Sequence, residues 1–218
     1  MEHLIEDRRS FLRRSSLAMA ALPLLVGCKS DTFAVESSSD ILTQLKKNAR
    51  GRAAEGMGAI DVPDNVSWRT AFTVGADDGE PMIISGTVYK LDSTTVAPNT
   101  LIYFYHTDKL GIYGRAGQPP HGRFRGWMLT DQKGRYEFAS IRPASYPNST
   151  QSRHVHMTIT TLDSTEDWID SILFEGDRFL TERERQSVGR RGGFNPIVDL
   201  KPGSDGIMRA NRDIRLMS

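Results

Sequence analysis

Short runs of hydrophobic and polar residues begin near Val66 and recur through the rest of the chain. Because these runs are rich in β-branched and aromatic residues, they predict strands. The predicted strands are 83–89, 100–105, 127–130, 135–138, 155–161, 169–174 and 213–216. The sequence DQKG (131–134) is typical of a turn and predicts a hairpin between its flanking strands. Many short strands with few helix signals predict an all-β fold, specifically a β-sandwich.

Helix signals are weak and lie outside this pattern. Residues 41–55 predict one short amphipathic helix, and residues 180–186 predict one or two helical turns. Residues 29–40 are polar and rich in serine, which is typical of a flexible tether. The expected organisation is a signal peptide, a tether with a possible short helix and a β-sandwich domain, at residues 1–27, 28–60 and 61–218.

The N-terminus has the features of an export signal. Residues 7–14 (DRRSFLRR) precede an apolar run at 17–27, which is too short for the roughly 20 residues that a membrane span needs. The arginine pair resembles a twin-arginine signal, and LVGC (25–28) resembles a bacterial lipobox. These motifs predict export, a lipid anchor at Cys28 and a periplasmic or cell-envelope location. They leave the choice between inner and outer membrane open.

Composition excludes several classes of protein. The chain has 218 residues, of which 38% are hydrophobic and 25% charged, as in an ordinary globular protein. The net charge of +1 provides no basic surface for nucleic acid. Because Cys28 is the only cysteine, an internal disulfide and a cysteine-rich zinc site are both excluded.

Four residues form a candidate metal site: Tyr113, Tyr146, His154 and His156. The two histidines are two positions apart, so on a strand both point to one face. Tyr146 lies between two prolines, which stiffen its loop. Two phenols and two imidazoles suit a hard ion such as ferric iron. Taken singly, the histidines also fit a chance pair on a polar face, and each tyrosine fits a half-buried aromatic.

The middle of the chain resembles the intradiol ring-cleavage dioxygenases, the family of catechol, hydroxyquinol and protocatechuate dioxygenases. The resemblance runs from Gly79 to about Thr160, which is half of the chain after the signal, and its segments occur in the family's order. The matching segments are GEPMIISGTVY (79–89), YHTDKLGIYG (105–114), RFRGWMLTDQKGRYEFASIRPASYP (123–147) and HVH (154–156), with LFEGDRFLT (173–181) following them.

This resemblance implies a β-sandwich that holds non-heme Fe(III) through Tyr113, Tyr146, His154 and His156. It implies a small aromatic diol and O₂ as substrates, with ring cleavage between the two hydroxylated carbons to a muconate-type diacid. It also implies that Tyr146 is the ligand that leaves the metal when substrate binds and takes up a substrate proton.

One position departs from the family's pattern. Many members have an arginine three residues before the first ligand histidine, and this chain has Gln151 there. Glutamine donates a hydrogen bond but carries no charge. Gln151 is therefore a candidate catalytic residue that would stabilise negative charge less strongly than an arginine. Arg125 and Arg142 are other possible sources of positive charge. As a strand neighbour of His154, Arg153 is expected to point away from the site.

Two alternatives to the enzyme remain open at this stage. One is a non-catalytic exported β-sandwich that binds a metal, an aromatic compound or a carbohydrate, which Gln151 favours. The other is a transthyretin-like domain in which the four candidate ligands never converge. His121 is expected to be a surface-loop residue, with the mouth of the pocket as the alternative position. The particular diol and the oligomeric state stay undetermined.

Overall fold

The computed structural model describes residues 38–51, 56–72, 78–114 and 116–217. The predicted signal peptide and Cys28 lie outside these residues, as does the first part of the predicted tether. In the described part of the chain, no helix is long and apolar enough to cross a membrane.

Two β-sheets form the body of the described chain. In chain order the strands are β1 (Arg69–Ala71), β2 (Pro81–Tyr89), β3 (Leu101–Tyr105), β4 (Arg125–Leu129), β5 (Arg135–Ile141), β6 (His154–Thr160), β7 (Asp167–Phe174), β8 (Ile197–Val198), β9 (Lys201–Pro202), β10 (Met208–Asn211) and β11 (Ile214–Arg215). The first sheet has the order β1-β5-β2-β10-β9, with β11 also paired to β2. The second has the order β4-β3-β6-β7-β8.

The two sheets face each other across an apolar core. Alternate residues of each strand point inward, so Ile84 and Phe138 of the first sheet meet Phe104 and Met157 of the second. The rings of Phe104 and Phe138 stack with centroids 4.2 Å apart, which joins the sheets directly. Burial of each such side chain contributes about 1.5–3 kcal/mol. The β-sandwich prediction is confirmed.

The strand predictions succeed for the strands of five or more residues. The segments around β2, β3, β6 and β7 were predicted with boundaries within two residues. The shorter strands β1, β8, β9 and β10 were not predicted. They have two to four residues each, and β1 and β10 pair in parallel with strands distant in sequence. Such pairing leaves no local pattern in the sequence.

The predicted hairpin between residues 127–130 and 135–138 is wrong in its pairing. The turn itself is present, since the Gly134 N–H donates to the Asp131 carbonyl at 2.8 Å. However, β4 belongs to the second sheet and β5 to the first. The Thr130 N–H bonds the Thr100 carbonyl, whereas the Gly134 carbonyl accepts the Val88 N–H. The chain therefore crosses between sheets, which lets apolar residues of both strands face one core.

Helix α1 (Ser38–Lys47) packs on the outer face of the second sheet. It begins three residues before the predicted 41–55 segment and ends eight residues earlier. Its buried leucines, with Leu45 fully covered, form a small second cluster against Leu101. After the helix, the side chain of Asn48 donates to the Thr161 and Leu162 carbonyls at 2.8 and 3.0 Å. The described part of the predicted tether is thus packed against the sandwich.

Helix α2 (Glu182–Ser187) follows β7 and coincides with the helical turns predicted at 180–186. Its N-terminus is closed by a capping box, in which Thr181 Oγ1 accepts the Glu184 N–H and Glu184 accepts the Thr181 N–H. Such a cap fixes the direction in which a short helix begins. A short 3₁₀ turn, Ala59–Asp61, precedes β1.

Candidate metal centre

The candidate site lies on the outer face of the second sheet, at the start of β6. Because side chains alternate along a strand, His154 and His156 point outward while Val155 and Met157 enter the core. The same register places Tyr105 of β3 directly beside His156. The rings of Tyr105 and His156 stack with centroids 4.6 Å apart. The predicted sharing of one face by the two histidines therefore agrees with the observed strand.

Two loops bring the tyrosines to these histidines. The Asp108 carbonyl accepts the Ala144 N–H at 3.1 Å, which joins the loop of Tyr113 to that of Tyr146. Gly111, with φ of 80°, lies so close to the second loop that an added Cβ would stand 2.1 Å from the Ser145 carbonyl oxygen. Only glycine fits this approach without displacing the backbone.

All four candidate side chains meet at one point. The Tyr113 and Tyr146 hydroxyls are in direct contact, and the Tyr146 hydroxyl lies 3.1 Å from His154 Nε2 and 3.5 Å from His156 Nε2. The two Nε2 atoms are 3.0 Å apart, and His156 Nε2 is 3.0 Å from the Tyr113 hydroxyl. The structure therefore brings together the four residues selected from the sequence, which the transthyretin-like alternative does not predict.

The chemistry of this donor set fits a metal ion. Donor atoms about 2 Å from one shared ion lie roughly 3 Å from each other, as His156 Nε2 does from His154 Nε2 and from the Tyr113 hydroxyl. His154 Nδ1 is 2.7 Å from the Ser152 carbonyl, which can only accept, so we assign the proton to Nδ1. The lone pair of Nε2 then points into the cluster. His156 Nδ1 is near the Ser171 hydroxyl, at 3.4 Å. Such partners on the remote nitrogen are typical of metal-ligating histidines.

Burial sets the protonation of the cluster in the metal-free protein. Loss of hydration lowers the pKa of His154, and it lowers that of His156 to about 3, with neighbouring His154 as the second cause. Burial raises the pKa of the Tyr113 phenol well above its usual range, with the hydrogen bond to Tyr146 adding to the effect. Both imidazoles are therefore neutral and available as ligands at pH 7, while Tyr113 keeps its proton until a cation replaces it.

A chain of polar contacts supports His154 from behind. Ser152, whose carbonyl accepts the hydrogen bond from His154 Nδ1–H, donates its own hydroxyl to the carboxylate of Glu184. Glu184 is also the residue that closes the capping box of α2. The short helix thus holds the backbone on which the first histidine of the cluster depends.

Gln151 lies outside the cluster. It is exposed in the loop before β6, where its backbone N–H donates to Ser149 Oγ at 3.1 Å. Among the arginines considered as its substitutes, Arg142 pairs with Glu80 at 3.3 Å and Arg125 lies over the ring of Trp127, 5.3 Å from its centroid. Both therefore have other partners.

The expected orientation of Arg153 rests on a strand that includes it. The alternation rule would turn it away from the site if it were within a strand with His154. However, β6 begins at His154, so Arg153 belongs to the preceding loop. It lines a groove beside Tyr146.

The sequence did not reveal the contacts that His121 makes beside the cluster. Its ring stacks on Tyr105, with centroids 3.6 Å apart and planes within 9°, and its Nδ1 is 2.9 Å from the Tyr103 hydroxyl. The backbone of His121 is left-handed, with φ of 62°. The next residue, Gly122, leaves no room for a Cβ beside the Tyr113 carbonyl oxygen. The His-Gly turn therefore supports the Tyr113 backbone, and its sequence signal was only a PPHG turn pattern.

Glu166 is a second residue that the sequence did not reveal. It is fully buried under the loop that covers the outer face of the second sheet. Its Oε1 accepts the Gly58 N–H at 2.7 Å and the Thr158 hydroxyl at 2.7 Å. The Gly58 carbonyl in turn accepts the indole N–H of Trp127 at 2.7 Å. One carboxylate thus holds the covering loop to the sheet next to the candidate site.

The composition of the cluster separates it from sites built of acids and histidines. In the described residues, no group of three or more His, Cys, Asp or Glu side chains could hold a metal ion.

The Dioxygenase_C family model, described as a dioxygenase, matches residues 63–192. This match covers more than half of the chain and includes all four cluster residues. The chain belongs to the intradiol dioxygenase family.

Two curated relatives share this family's sequence. The protocatechuate 3,4-dioxygenase beta chain of Burkholderia cepacia is 27% identical over 149 residues, which cover 62% of this chain and 63% of the relative. The catechol 1,2-dioxygenase of Acinetobacter baylyi is 26% identical over 104 residues, covering 46% of this chain and 33% of the relative. This intradiol dioxygenase-family chain therefore spans less than two thirds of the length of these relatives.

Solved structures of the family share the fold. The dioxygenase domain of a dioxygenase carbohydrate-binding protein fusion from Streptomyces sp. SirexAA-E has a TM-score of 0.54 at 20% identity, covering 70% of this chain and 89% of that chain. Catechol 1,2-dioxygenase from Pseudomonas arvilla C-1 has a TM-score of 0.55 at 19% identity, covering 69% and 56%. At these identities the likeness concerns the β-sandwich fold.

Proposed function

We propose that this protein is an Fe(III)-dependent intradiol dioxygenase. It would cleave a catechol-type aromatic ring between its two hydroxylated carbons with O₂ and release a muconate-type diacid. The observation that carries the proposal is the convergence of two phenol oxygens and two imidazole Nε2 atoms on one point. Family membership supports the reaction class.

The proposed ligands are Tyr113, Tyr146, His154 and His156. When bound there, ferric iron would supply the Lewis acidity that holds the diol as catecholate and gives its ring carbanion character toward O₂. The side chains have separate tasks. The imidazoles remain neutral donors because burial lowers the pKa of each. Tyr113 sits in the loop that Gly111 and the Ser145 carbonyl lock together, so it is the fixed phenol.

Tyr146 is the proposed proton acceptor. Its hydroxyl contacts three partners of the cluster, namely Tyr113, His154 and His156. An anionic phenol oxygen at that position can take a proton from the entering diol. Uptake of one proton by the Tyr146 oxygen would remove one negative charge, which would offset one of the two negative charges that a fully ionised diol brings. The prolines beside Tyr146 keep its backbone in place during this exchange.

Gln151 is a proposed catalytic residue whose neutral side chain lowers the catalytic rate. Its amide can donate a hydrogen bond to developing negative charge, and bonds from a charged donor are about twice as strong. We therefore expect Gln151→Arg to raise kcat with little change in iron content. If kcat and KM are both unchanged in this variant, Gln151 is not a catalytic residue.

The visible spectrum of the iron-loaded protein tests the proposal. Phenolate bound to Fe(III) gives a broad charge-transfer band, which should shift on addition of catechol under argon and give a diacid product in air. Tyr113→Phe and Tyr146→Phe should each weaken the band, whereas the control Tyr89→Phe, on β2 in the other sheet, should leave it unchanged. A band that shifts without product would favour the non-catalytic binding module. A colourless iron-loaded protein would contradict the iron site itself.

We also propose that the chain is exported and anchored to a membrane through a lipid on Cys28. The support is the twin-arginine and lipobox-like sequence at residues 7–28. Expression of the full chain in a bacterium should place it in the membrane fraction after signal cleavage. The variant Cys28→Ala should appear in the soluble fraction, and equal partition of both proteins would contradict the anchor.

A further inference from the structure

The ring of His121 lies beside the donor cluster without belonging to it. It stacks on Tyr105, with centroids 3.6 Å apart, and meets the Tyr113 ring edge to face, with centroids 5.9 Å apart. Tyr105 in turn stacks on the candidate ligand His156. An imidazole that is not needed as a ligand is therefore placed next to the position that a bound molecule would take.

One nitrogen of His121 is occupied and the other is open. Nδ1 is 2.9 Å from the Tyr103 hydroxyl. Among the described residues, no group forms a hydrogen bond with Nε2. The side chain is half-buried, and Nε2 is not one of the unpartnered polar atoms that are closed off from solvent. This nitrogen is therefore accessible to a ligand.

The second partner of Tyr103 determines which nitrogen carries the proton. Burial raises the pKa of the Tyr103 phenol to about 12, while Arg125 opposes this rise through its charge and a hydrogen bond. Because a guanidinium only donates, the phenol oxygen accepts from Arg125 and gives its own proton to the bond with His121 Nδ1. An imidazole that accepts at Nδ1 carries its proton on Nε2. The open nitrogen is therefore a donor.

Tyr103 keeps this arrangement in place because its ring is tightly packed on β3. The residue is 1% exposed, and its ring centroid lies 5.2 Å from that of Trp127. Gly58 of the covering loop lies so close that an added Cβ would stand 2.3 Å from the Tyr103 ring. The phenol oxygen therefore has little freedom to move away from His121.

We propose that His121 donates a hydrogen bond from Nε2 to an oxygen of the diol at the cluster, with Tyr103 and Arg125 as its positioning residues. The inference rests on the proposed function for the bound diol. A fixed donor stabilises negative charge on the diol oxygen without reorganising. Arg125 strengthens this donor by polarising the phenol and the imidazole in series. The charge that Gln151 lacks thus acts on the site indirectly.

The position of the proton is tested in the metal-free full chain, which requires neither iron nor turnover. Nitrogen NMR of isotope-labelled protein should show His121 with a bare Nδ1 and a protonated Nε2, and the variant His121→Gln identifies its signals by their loss. Tyr103→Phe removes the donor to Nδ1, so the ring should become a mixture of both tautomers. A proton on Nδ1 of the parent, or an unchanged ring in Tyr103→Phe, would overturn the proposal.

Catechol turnover of the iron-loaded chain tests the contact with the diol. His121→Phe keeps a ring but has no donor, so kcat/KM should decrease by about tenfold or more at equal iron content. His121→Gln supplies an amide donor and should recover most of this loss. Tyr103→Phe leaves the His121 backbone untouched and should lower kcat/KM by a smaller factor. Tyr89→Phe, in the other sheet, is the matched control and should change nothing.

The double variant separates this role from simple packing. If Tyr103 acts through His121, adding Tyr103→Phe to His121→Phe should cause no further loss, whereas two independent packing defects would add. Additive losses, or no recovery in His121→Gln, would overturn the proposal. If NMR shows the expected tautomer but the iron-loaded parent is colourless, the positioned donor stands and the proposed function fails.

Discussion

The two faces of strand β6 differ in how they are buried. On the inner face, Val155 and Met157 are fully covered by the apolar side chains of the opposite sheet. On the outer face, His154 and Thr158 are almost as well covered, but by polar and aromatic groups from loops. One residue step along the strand therefore separates a side chain that stabilises the fold from one that carries chemistry.

This difference shows which features of the structure determine the surroundings of each face. The inner face needs only apolar residues at every second position, which a regular sheet provides by itself. The outer face depends on groups that lie outside the strands, namely the loops of Tyr113 and Tyr146 and the carboxylate of Glu166. Substitutions at neighbouring positions of β6 should therefore change either the free energy of unfolding or the iron affinity, but not both.

The largest expected effect is the loss of iron on substitution of an outer-face histidine. We expect His156→Ala to reduce iron affinity by more than about 100-fold, since even residues behind a metal ligand affect affinity by 10- to 100-fold. The free energy of unfolding of the metal-free protein should change by less than about 1 kcal/mol, because a desolvated imidazole is removed. Chelator competition and urea unfolding measure the two quantities. Retention of parental iron affinity would exclude His156 as a ligand.

The matched inner-face substitution should give the opposite result. Met157 is fully buried one position away, so Met157→Ala should lower the free energy of unfolding by about 2–5 kcal/mol through lost contacts and a cavity. Its charge-transfer band and catechol-induced shift should be unchanged at temperatures where it is folded. A shifted band with unaltered stability would show that the two faces are not separable in this way.

The fold was predictable from sequence to the extent that alternation encodes it. The regular burial pattern of β2 extends over nine residues, and it was predicted. Strand β10 has no buried residue, and its pairing with β2 comes only from the folded chain. The turn at 131–134 illustrates the same limit. Its residues determine a bend, whereas the sheet that each flanking strand joins depends on the core between the sheets.

The candidate site was predictable in part for a related reason. The HxH spacing places two imidazoles on one face of any strand, so His154 and His156 needed no tertiary information. The contributions of Tyr113 and Tyr146 came from the family resemblance, because their convergence depends on the contact between their loops. The contacts of His121 were missed, since neither a left-handed backbone nor a ring stack on Tyr105 appears in a local pattern.

Glu166 allows the polar support of the outer face to be weakened without touching the candidate ligands. Glu166→Gln keeps the size of the side chain but replaces a charged acceptor of the Gly58 N–H and the Thr158 hydroxyl by a weaker one. We expect a loss of about 1–3 kcal/mol in the free energy of unfolding, with iron content retained. The exposed variant Glu80→Gln is the control and should cost less than about 0.5 kcal/mol. Equal stability of both variants would mean that the covering loop is held by its apolar contacts.

The pH dependence of stability should respond to a buried histidine at the end of β3. His106 is fully buried at the end of β3, between the Thr107 carbonyl and the Ser140 hydroxyl. Burial lowers the pKa of His106 from its usual 6.5 to about 4. Between these values the unfolded chain binds a proton that the folded chain does not, so stability is complete above pH 6.5 and falls as pH decreases toward 4. The slope from this imidazole is about 1.4 kcal/mol per pH unit.

His106→Asn removes this proton and tests the sign directly. Urea unfolding of the metal-free protein between pH 4.5 and 7.5 should show a slope smaller than that of the parent by about 1.4 kcal/mol per unit. Comparison of slopes cancels any constant loss from the substitution itself. The remaining dependence should come mainly from His121, His154 and His156, whose pKa values are also lowered by burial. An unchanged slope would mean that His106 binds its proton equally in both states, and that acid sensitivity belongs to the outer face alone.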